Sequence, residues 1–108
     1  MSDTIVNELV TGILKTANNK IVEIILYGSV ARGTNAQDSD VDVAVLINAN
    51  LTADELDLLS DFVVDMNLKY DTVFSVIDVP NEQYQMWKDT IPFYKNVTRE
   101  GISLWKAA

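Results

Sequence analysis

Two short runs of apolar and β-branched residues, Ile21–Tyr27 and Val41–Ile47, do most to restrict what this chain can fold into. The first is halted by Gly28 and the second is dominated by valine, so both read as strands. Helical periodicity brackets them. Ile5, Leu9 and Ile13 recur four apart beside Val6, Val10 and Leu14, which predicts a helix over residues 4–16 that ends at Asn18-Asn19. Thr52-Ala53-Asp54-Glu55 is a capping box, and it opens a helix over residues 52–69. That helix is expected to bury Leu56, Leu59, Val63, Met66 and Tyr70, and to turn Asp57, Asp61, Asp65 and Lys69 to water. A third strand is expected over 72–79, then short helices over 82–88 and 92–98, then a terminal strand over 102–105. This order predicts an α+β domain, α/β-like in its middle, with a small mixed sheet flanked by helices. At 108 residues it is one domain, 1–108.

Composition narrows the chemistry. The chain has no cysteine and no histidine, which removes disulfides, thiolate or imidazole zinc sites and histidine-based catalysis. Catalysis must then rest on carboxylates, hydroxyls, lysine, arginine or a hard cation held by oxygen. Sixteen acidic residues against 8 basic ones give a net charge of −8, with no basic cluster to neutralise a phosphate backbone. Extended nucleic acid is therefore not an expected ligand. A nucleotide is still possible if a divalent cation offsets the like charges. No apolar run approaches the ~20 residues of a membrane span, and no signal sequence follows Met1, so the expected location is cytoplasmic.

The chemistry converges on two stretches. In Leu26-Tyr27-Gly28-Ser29-Val30-Ala31-Arg32-Gly33 a strand ends at a glycine and a serine begins a helical turn. Backbone N–H groups and a hydroxyl exposed at such a junction favour phosphate oxygens, although a plain serine cap gives the same pattern. In Asp38-Ser39-Asp40-Val41-Asp42 the carboxylates of Asp40 and Asp42 stand two apart at a strand entrance and project from one face. Like charges placed so close call for protons, a basic partner or metal ions, and oxygen-only ligation with room for phosphate suits magnesium. If strands one and two are antiparallel and a crossover makes strand three parallel to strand two, Ser29 comes beside Asp40. Asp71 then opens the third strand at the same end of the sheet. Asp71 is a candidate third ligand or base, and equally a common turn residue.

Gly28-Ser29, ten further residues, then Asp40-x-Asp42, with Ala31-Arg32-Gly33 between them, resembles the DNA polymerase beta-type nucleotidyltransferase superfamily, most closely its minimal single-domain members. The resemblance implies that fold, with ATP as substrate and two magnesium ions held by Asp40 and Asp42, Asp71 completing the catalytic carboxylate set. It also implies that Gly28 and Ser29 contact the outer phosphates and that Ser39 orients the Asp40 loop. Arg32 would serve either the phosphates or the structure of its own loop, and residues 34–38 would form a wall of the site. Minimal members often pair with a HEPN-type toxin, and some attach AMP to a tyrosine of it, so the resemblance implies an antitoxin with that partner.

Two other functions fit the same motifs: a small-molecule nucleotidyltransferase of the antibiotic-modifying kind, and a non-catalytic antitoxin that acts by binding. The chain is short for a walled acceptor pocket, and all three carboxylates are present, which favours protein adenylylation. Late in the chain, Tyr84, Trp87, Phe93, Tyr94 and Trp105 are expected to close the core, with a docking or base-stacking surface as the alternative.

Overall fold

The computed structural model describes residues 1–17, 19–33 and 40–108. Asn18, Ser39 and the expected wall of residues 34–38 lie outside the described residues. Helix α1 (Asp3–Ala17) buries Leu9 and Ile13 completely, as its stripe requires. Strands β1 (Ile21–Tyr27) and β2 (Val41–Ile47) have the bounds that their apolar runs predict, and a short helix α2 (Gly28–Arg32) follows β1. They pair antiparallel, with Tyr27 opposite Asp42 and Ile25 opposite Ala44.

Helix α3 (Ala53–Tyr70) begins at the expected capping box: the Glu55 N–H donates to the Thr52 hydroxyl, and the Thr52 N–H donates to the Glu55 carboxylate. It returns the chain so that β3 (Phe74–Pro80) runs parallel to β2. The chain then forms α4 (Asn81–Trp87), α5 (Pro92–Glu100) and β4 (Ile102–Lys106), the last antiparallel to β1. The strand order is β3-β2-β1-β4, a mixed α+β sheet, and no helix of the described residues is long and apolar enough to cross a membrane.

Strand alternation sorts the side chains onto two covered faces. On one, Ile24, Leu26, Val43, Val45 and Phe74 meet Leu9 and Ile13 of α1 and Leu59 and Met66 of α3. On the other, Ile25, Ala44, Leu46 and Val79 meet Tyr84 of α4 and Val97 of α5. Asp42 has the parity of Ala44 and Leu46, so it lies on the α4–α5 face, at the end of the sheet where β1 finishes and β2 starts.

Two expectations need correction. The third strand starts at Phe74, and Asp71 does not open it: Asp71 caps the C-terminus of α3 in the left-handed region (φ 48°). Aspartate tolerates that conformation, and Asn67 closes the turn by accepting the Phe74 N–H at 2.7 Å. Leu56, expected in the core, is 40% exposed. It sits over the groove between α3 and β3, and because β3 is an edge strand no further strand extends beneath it.

Candidate functional site

Gly28 begins the site because of a conformation that only glycine adopts freely. Its φ of 77° is left-handed, and it turns the chain from β1 directly into α2. A Cβ at this position would stand 2.5 Å from Oδ2 of Asp42. The glycine is thus the residue that lets the backbone of the turn lie against the Asp42 carboxylate. Helix α2 starts without a side-chain cap on its first N–H groups, and Ser29 occupies its first turn, half-buried. The turn and the carboxylate strand thus approach each other through Gly28 and Asp42, whereas the expected pair was Ser29 and Asp40.

Asp40 is exposed and Asp42 half-buried. The Asp42 carboxyl is pushed above its ordinary range, first by burial and then by the negative charge of Asp40. The Tyr27 phenol, beside Asp42 in the register, is likewise pushed up by burial and then by the charge of Asp42. Both shifts mark a place where negative charge gathers against a partly covered surface.

Asp71 stands at the C-terminus of α3, and among the described residues no three acidic side chains gather where they could share an ion. The register instead places Ser75 of β3, half-buried, beside Asp42. Arg32 is engaged elsewhere. Its Nη1 lies 2.8 Å from Oε2 of Glu100, at the end of α5. Phe93, at the start of α5, meets the Tyr27 ring edge to face with centroids 5.6 Å apart. No local pattern points to Ser75, Phe93 or Glu100, because each reaches the site only through sheet register or helix packing. The late aromatics divide: Tyr84 is buried, Tyr94 and Trp105 are half-buried, and Trp87 and Phe93 are exposed. An apolar groove between α1 and α3, lined by Thr11, Lys15, Leu58 and Phe62, lies on the opposite face of the sheet and holds none of the candidate residues.

A sequence profile described as "Nucleotidyltransferase domain" matches residues 8–101, which include the turn, the carboxylate strand and α5. The chain belongs to this nucleotidyltransferase family. Among curated proteins it is similar to a Methanocaldococcus jannaschii protein named as a protein adenylyltransferase, 30% identical over 100 residues, covering 93% of this chain and 94% of that one. A second protein of that organism with the same name is 34% identical over 73 residues, 68% of this chain and 74% of the other. In fold, this nucleotidyltransferase resembles a chain from a toxin–antitoxin crystal structure with AMP-PNP, with a TM-score of 0.64 at 21% identity, over 94% of this chain and 73% of that one. It also resembles a chain from the complex of the tri-AMPylated Shewanella oneidensis HEPN toxin with its MNT antitoxin, with a TM-score of 0.64 at 18% identity, over 99% and 74% of the two chains. The enzyme class expected from the motif is thereby shown for this nucleotidyltransferase.

Proposed function

We propose that this nucleotidyltransferase transfers AMP from ATP to a hydroxyl group on a partner protein, specifically a tyrosine of a HEPN-type toxin, and so acts as its antitoxin. The observation that supports the proposal is the close approach of the Gly28 turn, at the start of α2, to the Asp42 carboxylate. The curated relatives, named for protein adenylylation, supply the class of acceptor, and the toxin–antitoxin complexes of similar fold supply the partner.

The residues present fit a divalent cation. Asp40 and Asp42 offer oxygen donors only, and a hard cation would favour the ionised form of Asp42, which burial and then the charge of Asp40 oppose. Asp40 and Asp42 would hold magnesium, which when bound neutralises phosphate charge and favours the deprotonated form of an attacking hydroxyl. The N–H groups opening α2 and the Ser29 hydroxyl would orient the outer phosphates, so that pyrophosphate departs in line with the incoming oxygen. Ser39 would steady the approach to Asp40. Asp71 has no ligand role in this scheme, and its proposed part is to accept the proton of the attacking hydroxyl.

The test is co-expression with the protein encoded beside this chain, followed by intact-mass measurement of that protein. Additions of whole AMP units are expected, and they should disappear with Asp42→Asn. A partner that stays unmodified yet is still neutralised by the Asp42→Asn chain would make this protein an antitoxin that acts by binding. Label moving from ATP to a small molecule instead would support the antibiotic-modifying alternative. Full transfer by Asp71→Asn would remove that residue from the reaction.

A further inference from the structure

We infer that Arg32 is a positioning residue: paired with Glu100, it pins the end of α2 to α5 and thereby sets the aim of the Gly28-Ser29 turn, without itself contacting phosphate. The inference rests on the nucleotide-binding reading given above and deepens it.

Helix α2 spans only Gly28–Arg32, a single turn that has too few hydrogen bonds to hold its own geometry. Its placement must come from packing, and α5 supplies a contact at each end. Before α2 starts, the Tyr27 ring abuts Phe93 in the first turn of α5. Where α2 ends, Arg32 reaches Glu100, the last residue of α5. From Tyr27 to Arg32 a helical rise covers about 7 Å, and from Phe93 to Glu100 about 10 Å, so two helices lying side by side can be joined at both ends.

The supporting helix is itself well anchored. Val97 is buried against the sheet, and the Tyr84 and Thr98 hydroxyls are 2.6 Å apart. Gly101 lets the chain pass closely between the Val97 carbonyl and Ile25 before β4 pairs with β1. A displacement of Gly28-Ser29 therefore has to break contacts with a helix that cannot follow.

The pair is asymmetric in exposure: the Arg32 side chain is 45% exposed and that of Glu100 only 17%. If Arg32 swung away to a phosphate, it would leave a mostly covered carboxylate without its cation, and that carboxylate would then add negative charge next to an anionic ligand. A direct phosphate role for Arg32 thus works against both the fold and the ligand.

The experiment measures binding of a non-hydrolysable ATP analogue and of AMP, each with magnesium, by calorimetry, together with melting temperature. Arg32→Gln and Glu100→Gln should each weaken the analogue by about two- to fivefold, the scale of an exposed ion pair, and affect AMP less. The double variant should be no worse than either single change. The exchange Arg32→Glu with Glu100→Arg should recover most of the loss, and Arg32→Lys should retain most of the affinity if the exchanged protein folds poorly. Weakening by Arg32→Gln with unchanged or tighter binding by Glu100→Gln would make Arg32 a phosphate ligand and overturn the inference. Equal losses for both nucleotides that follow the melting temperature would also overturn it, because they would show only a structural tie. Ser29→Ala separates the two levels: loss there without loss in Glu100→Gln leaves the nucleotide site standing and removes the positioning role. A wild-type chain that binds neither nucleotide would sink both.

Discussion

Alanine at Gly28 and alanine at Gly33 form a matched pair of perturbations. Both glycines are left-handed, with φ of 77° and 74°. A Cβ on Gly33 meets nothing within 4 Å among the described residues, whereas on Gly28 it stands 2.5 Å from the Asp42 carboxylate. The left-handed backbone costs an L-residue about 1–2 kcal/mol, and loss of glycine's freedom in the unfolded chain returns ~0.4–1 kcal/mol. Gly33→Ala should therefore destabilise by about 1 kcal/mol, or roughly 4 °C in melting temperature for a domain of this size. Gly28→Ala has the same backbone cost plus an overpacking cost of about 1–3 kcal/mol, for a total of about 2–4 kcal/mol. Urea unfolding of both variants measures the difference. Repeating Gly28→Ala on an Asp42→Ala background should bring its cost down to that of Gly33→Ala, since the remaining approach to the Asp42 Cβ is an ordinary 3.5 Å. Equal costs for the two single variants, or a Gly28 cost that persists without the Asp42 carboxylate, would refute the close approach on which the site is built.

Asp42→Asn removes the charge that burial and Asp40 both oppose, so in magnesium-free buffer it should melt higher than the wild type while losing transfer activity. Thr52→Ala removes one half of the capping box and should cost about 1 kcal/mol in urea unfolding. Gly12→Ala places a methyl group where the Phe62 ring lies on α1, and overpacking of about 1–3 kcal/mol should be largely relieved by Phe62→Ala in the same chain. Glu8 is held below the ordinary glutamate range first by Lys69 and then by Tyr70, so its contribution to stability is present above that range and is lost as pH falls through the lowered value. Melting curves of wild type and Glu8→Gln should therefore differ at neutral pH and converge in acid.

Much of the fold was legible because its signals are local. The two apolar runs gave the bounds of β1 and β2, and the Thr52–Glu55 capping box gave the start of α3. The nearness of the two aspartates was legible for the same reason, and the charge of Asp40 does act on Asp42. Strand β2 starts only at Val41, however, so strand alternation does not fix where Asp40 faces. What escaped depends on distant partners. Asp71 reads as a strand entrance until Asn67 closes the turn around it, and Leu56 reads as core until the edge position of β3 leaves it uncovered. The partner of Arg32 is Glu100, at the far end of the chain, and no spacing rule links the two. The local sequence admits either a phosphate or a loop role for Arg32, and the ion pair with Glu100 favours the second.

The register between Tyr27 and Asp42 has a consequence for how the site breathes. Asp42 belongs to β2, which is hydrogen-bonded on both sides, to β1 and to β3, so freeing its backbone means opening the centre of the sheet. Helix α2 is a single turn, tied to α5 at its two ends and resting on the core through Val30 and Ala31, so it opens by breaking side-chain contacts while the sheet stays closed. Deuterium exchange should then separate the two sides of the site: slow, globally limited exchange at the Val43 and Val45 amides, and faster local opening across α2. On this reading the Asp42 side opens only with the sheet, and the Gly28-Ser29 side opens first.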